Sequence, residues 1–264
     1  MNKILFYNRK GGVGKTTSVV NIGATLAKHF DKRVLIVDCD SQCNTTEYLT
    51  THEDIVLDKS LEDVFCGDTE NVIHKIKILE HGNLIDTNMD LVGAVRNMEW
   101  NVPEDYNDFK NFADFMQSIE DKYDYCLFDC PPNPSPYVKC AIRVCTHIIV
   151  PLLPNKHSLN GYDMILEELK NIRNETKGQV SPKVLGSLIT ISDEKNSSTD
   201  RKWAETLVKL QGVNSFDTKI SRSNYVKNAI ELGYPMPYFP WGKNTTSEYI
   251  SLCYEIMQRI KKNK

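Results

Sequence analysis

Short, unbroken apolar runs recur along the chain, separated by longer stretches in which apolar positions return every three or four residues. The short runs are KILFYN (3–8), VLIVDCD (34–40), NLIDT (83–87), YDYCLFDC (123–130), HIIVPLL (147–153) and VLGSLITI (184–191). Helical spacing marks the segments between them, as in TTSVVNIGATLAKHF (16–30) and YDMILEELKNIRNE (162–175). Strands that are apolar at every position are buried on both faces, and their alternation with helices predicts an α/β fold. The expected architecture is a mostly parallel sheet covered by helices on both faces. Ligand sites in such sheets lie beyond the carboxyl ends of the strands. Chemistry is therefore expected just after Asn8, Val37 and Phe128. The stretch 100–109, WNVPEDYNDF, reads as a surface excursion before the next helix. Near the end, Tyr249, Leu252, Cys253, Ile256 and Ile260 fall on one helical face, as in a last helix packed on the sheet.

Composition changes this picture little. The chain has 264 residues, 41% apolar and 25% charged, with a formal net charge of −3. It contains no internal repeat, low-complexity tract or Gly/Ser linker, so one domain spanning residues 1–264 is expected. The weakly negative total gives no global attraction for nucleic acid, but a local basic patch would still bind phosphates. No apolar run approaches the roughly 20 residues that span a bilayer. The opening MNKILFYN is too short for a secretory signal and reads as a buried first strand. With no such signal, the eight cysteines read as reduced thiols, Cys39, Cys43, Cys126 and Cys130 among them in or beside core strands.

The chemistry concentrates in NRKGGVGKTTSVVN (8–21). The usual phosphate-binding loop reads G-x-x-x-x-G-K-[ST]. Here Gly14, Lys15 and Thr16 supply its end, but Arg9 stands where the first glycine belongs and a second lysine, Lys10, follows it. Gly11, Gly12 and Gly14 allow a tight turn that aims several N–H groups at one phosphate, and the helix beginning near Lys15 adds its positive end. Lys15 would bridge the β- and γ-phosphates, and the Thr16 hydroxyl would hold Mg²⁺. Asp38 and Asp40 end the second strand and Asp129 ends the fourth apolar run. Asp38 lies 23 residues beyond Lys15, enough for one helix and a return strand. One strand-end aspartate would pass as a helix cap. Three downstream of such a loop suit a hard cation, with Asp129 acting through water.

These segments together resemble the ParA/MinD superfamily of dimeric ATPases. Residues 10–17, KGGVGKTT, match that family's deviant Walker A loop. VLIVDCDSQCN is similar to its D-x-D-P-Q-x-N motif, and LFDCPPNPS to its D-x-P-P-S switch. NLIDTNMDLVGAVRNM (83–98) and FDTKISRSNYVKNAIELGYP (216–235) are similar to further ParA stretches, so the resemblance runs from Lys3 to the final helix. The short, Soj-like partition proteins are the nearest in pattern. Met1 lies two residues before the first strand, so no N-terminal helix-turn-helix extension is expected.

The resemblance implies a function: a partition ATPase, using ATP and Mg²⁺, that dimerises on ATP, binds double-stranded DNA without sequence preference, and is reset when a ParB-like partner stimulates slow hydrolysis. It implies that Lys10 acts across the dimer interface on the other subunit's nucleotide. Two triphosphates brought face to face repel unless cations lie between them. Lys10, Lys15 and Asp40 are the catalytic candidates. Asp40 matches the family aspartate that positions the attacking water, which a weak carboxylate base orients more than it activates. Nucleotide contacts are expected from residues 10–17, Val13 and Thr17 included, and from Ser221 and Ser223. Metal contacts are expected from Thr16, Asp38 and Asp129, and DNA contacts from Lys195 and Arg222. Lys219 and Lys227 flank Arg222, and Arg201 and Lys202 follow Lys195. A cytoplasmic, nucleoid-associated protein is expected.

Several positions depart from the family pattern. Ser41 replaces Pro, Cys43 replaces Gly, and Asn133-Pro134 widens the switch. Ser221 and Ser223 stand where the family has Pro and Asn near the adenine, a change that backbone contacts to the base would survive. Three other classes fit less well. A MinD-like membrane switch needs an amphipathic basic tail, and KKNK lacks apolar anchors. An iron–sulfur carrier needs a C-x-x-C, whereas Cys140 and Cys145 stand farther apart and Cys253 is alone. An amide-forming ligase has no use for Lys10 in trans.

Overall fold

The computed structural model describes residues 1–53, 55–96, 106–193, 197–210 and 214–262. The first half runs β1 (Asn2–Phe6), α1 (Lys15–Phe30), β2 (Val34–Asp38), α2 (Asn44–Thr50), α3 (Leu61–Phe65), β3 (His74–Glu80) and β4 (Asn83–Val92). It continues α4 (Tyr106–Ser118), β5 (Tyr125–Asp129), α5 (Pro136–Val144), β6 (His147–Leu152) and α6 (Ser158–Glu175). The last elements are β7 (Lys183–Ile189), α7 (Ser198–Lys209), α8 (Asn224–Glu231) and α9 (Lys243–Lys262). The helix after the irregular stretch thus begins at Tyr106, inside the expected excursion, and residues 100–105 lie outside the described residues.

Among the described residues, seven strands form one sheet in the order β3-β4-β2-β5-β1-β6-β7. Every pairing is parallel except β3 with β4, which is antiparallel. The expected mostly parallel sheet is present. β3 is an addition that periodicity signalled only weakly: Ile76 and Ile78 are buried while Lys75 and Lys77 are exposed, the alternation of an edge strand.

Alternation along the central strands sorts their side chains into two layers. Leu5, Tyr7, Leu35 and Val37 join one apolar cluster with Leu61, Phe112, Val138 and Ile165 of α3, α4, α5 and α6. Ile4, Phe6, Val34 and Ile36 join the other with residues of α1, α2 and α9. Tyr249, Leu252, Cys253, Ile256 and Ile260 are all buried, as the spacing of the last helix required. Each large apolar side chain so buried contributes about 1.5–3 kcal/mol. Among the described residues no helix is long and apolar enough to cross a membrane.

Three strand ends meet at the middle of the sheet, where β5 lies between β2 and β1. Asp38 pairs with Asp129 in register, and Phe6 pairs with Asp129 from the other side. The topology therefore carries the loop after β1 and the aspartates of β2 and β5 to one spot.

Candidate functional site

The loop from Asn8 to Gly14 leaves β1 and enters α1 without a side-chain cap. Gly12 and Gly14 adopt positive φ values of 71° and 77°, which residues with a side chain rarely take. Gly14 occupies the N-cap position of α1 and makes no side-chain cap bond. Asn8 is buried and braces the loop: its amide donates to the Pro151 carbonyl at 2.7 Å, and its Oδ1 accepts from Lys10 N–H at 2.8 Å. Thr190 fastens the other side, donating to the Val13 carbonyl at 2.8 Å.

The two lysines are held differently. Lys15 is buried, and its Nζ donates to the main-chain carbonyls of Asn8 at 3.1 Å and Lys10 at 3.2 Å. Burial lowers its pKa, an effect opposed by the negative charge of Asp129. A buried cation held by neutral acceptors favours an anion beside it. Lys10 is half-buried, and its ammonium makes no hydrogen bond or ion pair among the described residues. Arg9 lies 4.0 Å from Glu168 of α6.

The aspartates lie close by. Thr16 Oγ1 donates to Asp129 Oδ2 at 2.6 Å, and Thr45 Oγ1 donates to the same oxygen at 2.7 Å. Asp129 Oδ1 is buried with no hydrogen-bond partner among the described residues. Asp38 Oδ2 accepts from Thr46 N–H at 2.9 Å and from its hydroxyl at 2.7 Å. Burial raises both carboxyls above the ordinary range, and the neighbouring charge of Asp129 raises Asp38 further. Asp40, less buried, receives Gln42 N–H at 3.0 Å.

A pocket of about 580 Å³ opens over these groups, walled in part by Gly11, Gly12, Lys15, Thr16, Thr17 and Asp40. A second cavity of about 310 Å³ shares Gly14 and Thr17 with it and extends to Ser221, Arg222 and Ser223. Loop, glycines and uncapped helix end suit a polyphosphate. The Thr16–Asp129 pair and the orphaned Asp129 oxygen suit Mg²⁺ or its bound water. Among the described residues no cluster of three or more His, Cys, Asp or Glu could cage a metal. A magnesium ion here would complete its shell with water and phosphate oxygens.

Of the expected residues, Gly11, Gly12, Gly14, Lys15, Thr16, Thr17 and Asp40 line the 580 Å³ pocket, and Ser221 and Ser223 line the adjoining cavity. Lys10 and Val13 belong to the loop without lining either, while Asp38 and Asp129 are buried, Asp129 being joined to the pocket through Thr16. Arg222 is exposed and lines that cavity as well as an outer one of about 720 Å³ with Lys219 and Lys243. Lys195 lies outside the described residues. Thr45, Thr46 and Asn8 also belong to the site. The sequence marks Asn8 only as the residue that opens the loop, and the threonines only as a pair directly after the DSQCN segment. Cys43, where the family pattern has Gly, takes a φ of 56°, a left-handed conformation that glycine adopts without steric cost. The Ser135 displaced by Asn133-Pro134 caps α5, its Oγ accepting from Val138 N–H at 3.2 Å.

A mostly parallel sheet with this loop and paired strand-end carboxylates defines an ATPase fold of the P-loop class. Residues 1–181 match the AAA domain family AAA_31. The chain is 31% identical over 267 residues to the virulence plasmid ParA family protein pGP5-D of Chlamydia psittaci, covering 98% of this chain and 96% of that one. It is 26% identical over 258 residues to the sporulation initiation inhibitor protein Soj of Bacillus subtilis (strain 168), covering 97% and 98%. Its backbone is similar to cobyrinic acid a,c-diamide synthase from Mycobacterium smegmatis with bound ADP and magnesium, with a TM-score of 0.78 at 21% identity, covering 100% and 97%. The chain belongs to the ParA family of P-loop ATPases.

Proposed function

We propose that this chain is a partition ATPase whose two loop lysines have separate duties. The reading rests on one observation above all: Lys15 is buried within its own loop, while the Lys10 ammonium has no partner among the described residues. Lys15 holds the β- and γ-phosphates of its own nucleotide, and residues 11–17 supply N–H groups and the Thr16 hydroxyl. Asp38 and Asp129 orient Mg²⁺ and its waters, the metal supplying charge neutralisation at the phosphates. Lys10 reaches the nucleotide of a second copy, so closure of a homodimer depends on the triphosphate. Asp40 orients the attacking water, and hydrolysis is slow until a ParB-like partner improves that geometry. The whole chain works as one unit, cytoplasmic and associated with the nucleoid through non-specific DNA contacts from the Arg222 and Lys195 region.

Backbone likeness to an amide-forming synthase carries no chemistry at 21% identity. The test is a mobility shift on random-sequence DNA with ATP, with ADP and without nucleotide, run beside size-exclusion chromatography under the same conditions. ATP-dependent dimerisation and DNA binding are expected. A monomer that hydrolyses ATP only with an added small-molecule acid and amine donor would overturn the reading.

A further inference from the structure

The 310 Å³ cavity is lined by Gly14 and Thr17 from the start of α1 and by the segment 220–223. The backbone of that segment continues the edge of the sheet. Ser192 N–H donates to the Ile220 carbonyl at 3.1 Å, and Arg222 N–H donates to the Ser192 carbonyl at 2.8 Å. The N–H of Ser221, between them, points elsewhere: it donates to Glu248 Oε2 at 3.0 Å. The Ser221 hydroxyl donates to Oε1 of the same carboxylate at 2.6 Å. Two donors on one residue thus fill both oxygens of one glutamate. A proline at this position, as in the resembling partition proteins, has neither donor.

Glu248 stands on a firm base. It belongs to α9, and the next residue, Tyr249, is buried and lines the same cavity. α9 packs along α1, where the Cys253 thiol donates to the Ile22 carbonyl at 3.7 Å. α1 begins at Lys15 in the phosphate loop. A continuous run of contacts therefore links the phosphate loop to the Ser221 wall of the cavity, and the Glu248 carboxylate is its last member.

We infer that Glu248 is a positioning residue for nucleotide binding: it fixes the Ser221 wall at the distance from Gly14 and Thr17 that a nucleoside needs. The inference rests on the nucleotide-binding reading above. Hydrogen bonds to a charged acceptor are stronger than neutral ones, and losing the acceptor strands two donors at a half-buried site. The Ser221 N–H takes no part in the sheet ladder, so the backbone tolerates proline there. That makes the pair separable by a double-mutant cycle.

The experiment measures binding of a fluorescent ATP analogue with Mg²⁺ to the full chain, and KM against kcat for ATP. Glu248→Ala should weaken binding about tenfold, with the loss in KM rather than kcat. In a Ser221→Pro background the same substitution should cost less than about twofold. Glu248→Gln, which keeps one acceptor oxygen, should fall between. Should Glu248→Ala fail to fold, the cycle of Glu248→Gln with Ser221→Ala tests the coupling by the same non-additivity. Wild-type affinity in Glu248→Ala, or an equal loss in both backgrounds, overturns the inference while leaving the nucleotide site standing. A wild-type chain that binds no ATP analogue overturns the site and the inference together.

Discussion

Asp38 and Asp129 face each other in register at the ends of β2 and β5, and threonine hydroxyls bond to both. Two buried carboxyls so close have raised pKa values, from burial first and, for Asp38, from the charge of Asp129 next. The folded protein therefore holds these protons more tightly than the unfolded chain. Metal-free stability should fall as pH rises from the ordinary carboxylate range near 4 towards neutrality, where both groups become charged. Thermal melts of the metal-free wild type and Asp38→Asn between about pH 5 and pH 7 test this. The wild type should lose more stability over that range than the variant, and Mg-ADP should reduce the difference. Parallel pH profiles would mean that the pair imposes no such penalty.

Lys15 is the cation that a bound polyphosphate gains. On the proposed reading, Lys15→Ala loses the contact to the β- and γ-phosphates and should bind labelled ATP at least about a hundredfold more weakly. Equilibrium dialysis measures it. Near-normal affinity would move phosphate binding away from this loop.

Lys10 should separate from Lys15 in the same assays. Its ammonium has no partner among the described residues of its own subunit, so Lys10→Ala should bind ATP within about threefold of wild type. It should nevertheless remain a monomer in size-exclusion chromatography with ATP and Mg²⁺. A stable dimer would return Lys10 to its own subunit.

Asp40 lies at the edge of the same pocket, less buried than Asp38, with one oxygen accepting from Gln42 N–H. Asp40→Ala should keep nucleotide binding and lose hydrolysis by roughly a hundredfold, because only orientation of the water is lost. Product release from a single turnover reads this directly. An accumulating ATP-bound dimer is the expected state, and wild-type turnover would place the water elsewhere.

Much of this site was legible because its parts are local. The glycines, Lys15 and Thr16 are contiguous, and strands apolar at every position mark the places where Asp38 and Asp129 end. Other parts required the fold. Thr45 and Thr46 look like ordinary first residues of a helix until β2 and β5 are set side by side. β3 escaped notice because an edge strand buries only one face, leaving Lys75 and Lys77 between its isoleucines. The Glu248 contact joins residues 27 positions apart on different elements. Its only trace in the sequence is that Ser221 breaks the family pattern.

On the proposed reading, DNA contacts come from a local patch, since the net charge of −3 gives no global attraction for phosphates. Arg222 is exposed at the rim of the outer cavity, with Lys219 and Lys243 on the same cavity. Lys227 pairs with Glu231 at 3.8 Å, an exposed contact that leaves its charge available to phosphate. A patch of this size on one subunit would be weak, and two copies brought together by ATP would present about twice the charge. Binding should then follow dimerisation and ignore sequence, because such contacts go to phosphates. Lys195→Glu with Arg222→Glu should abolish the shift of random-sequence DNA while ATP-driven dimerisation survives. Arg222 also lines the cavity beside Gly14, so affinity for a fluorescent ATP analogue is measured on the same preparation. In the single variant Arg222→Ala, the slope of log affinity against log salt should become shallower by roughly one per subunit. An unchanged slope, with an unchanged shift in the double variant, would place the DNA on another face of the molecule.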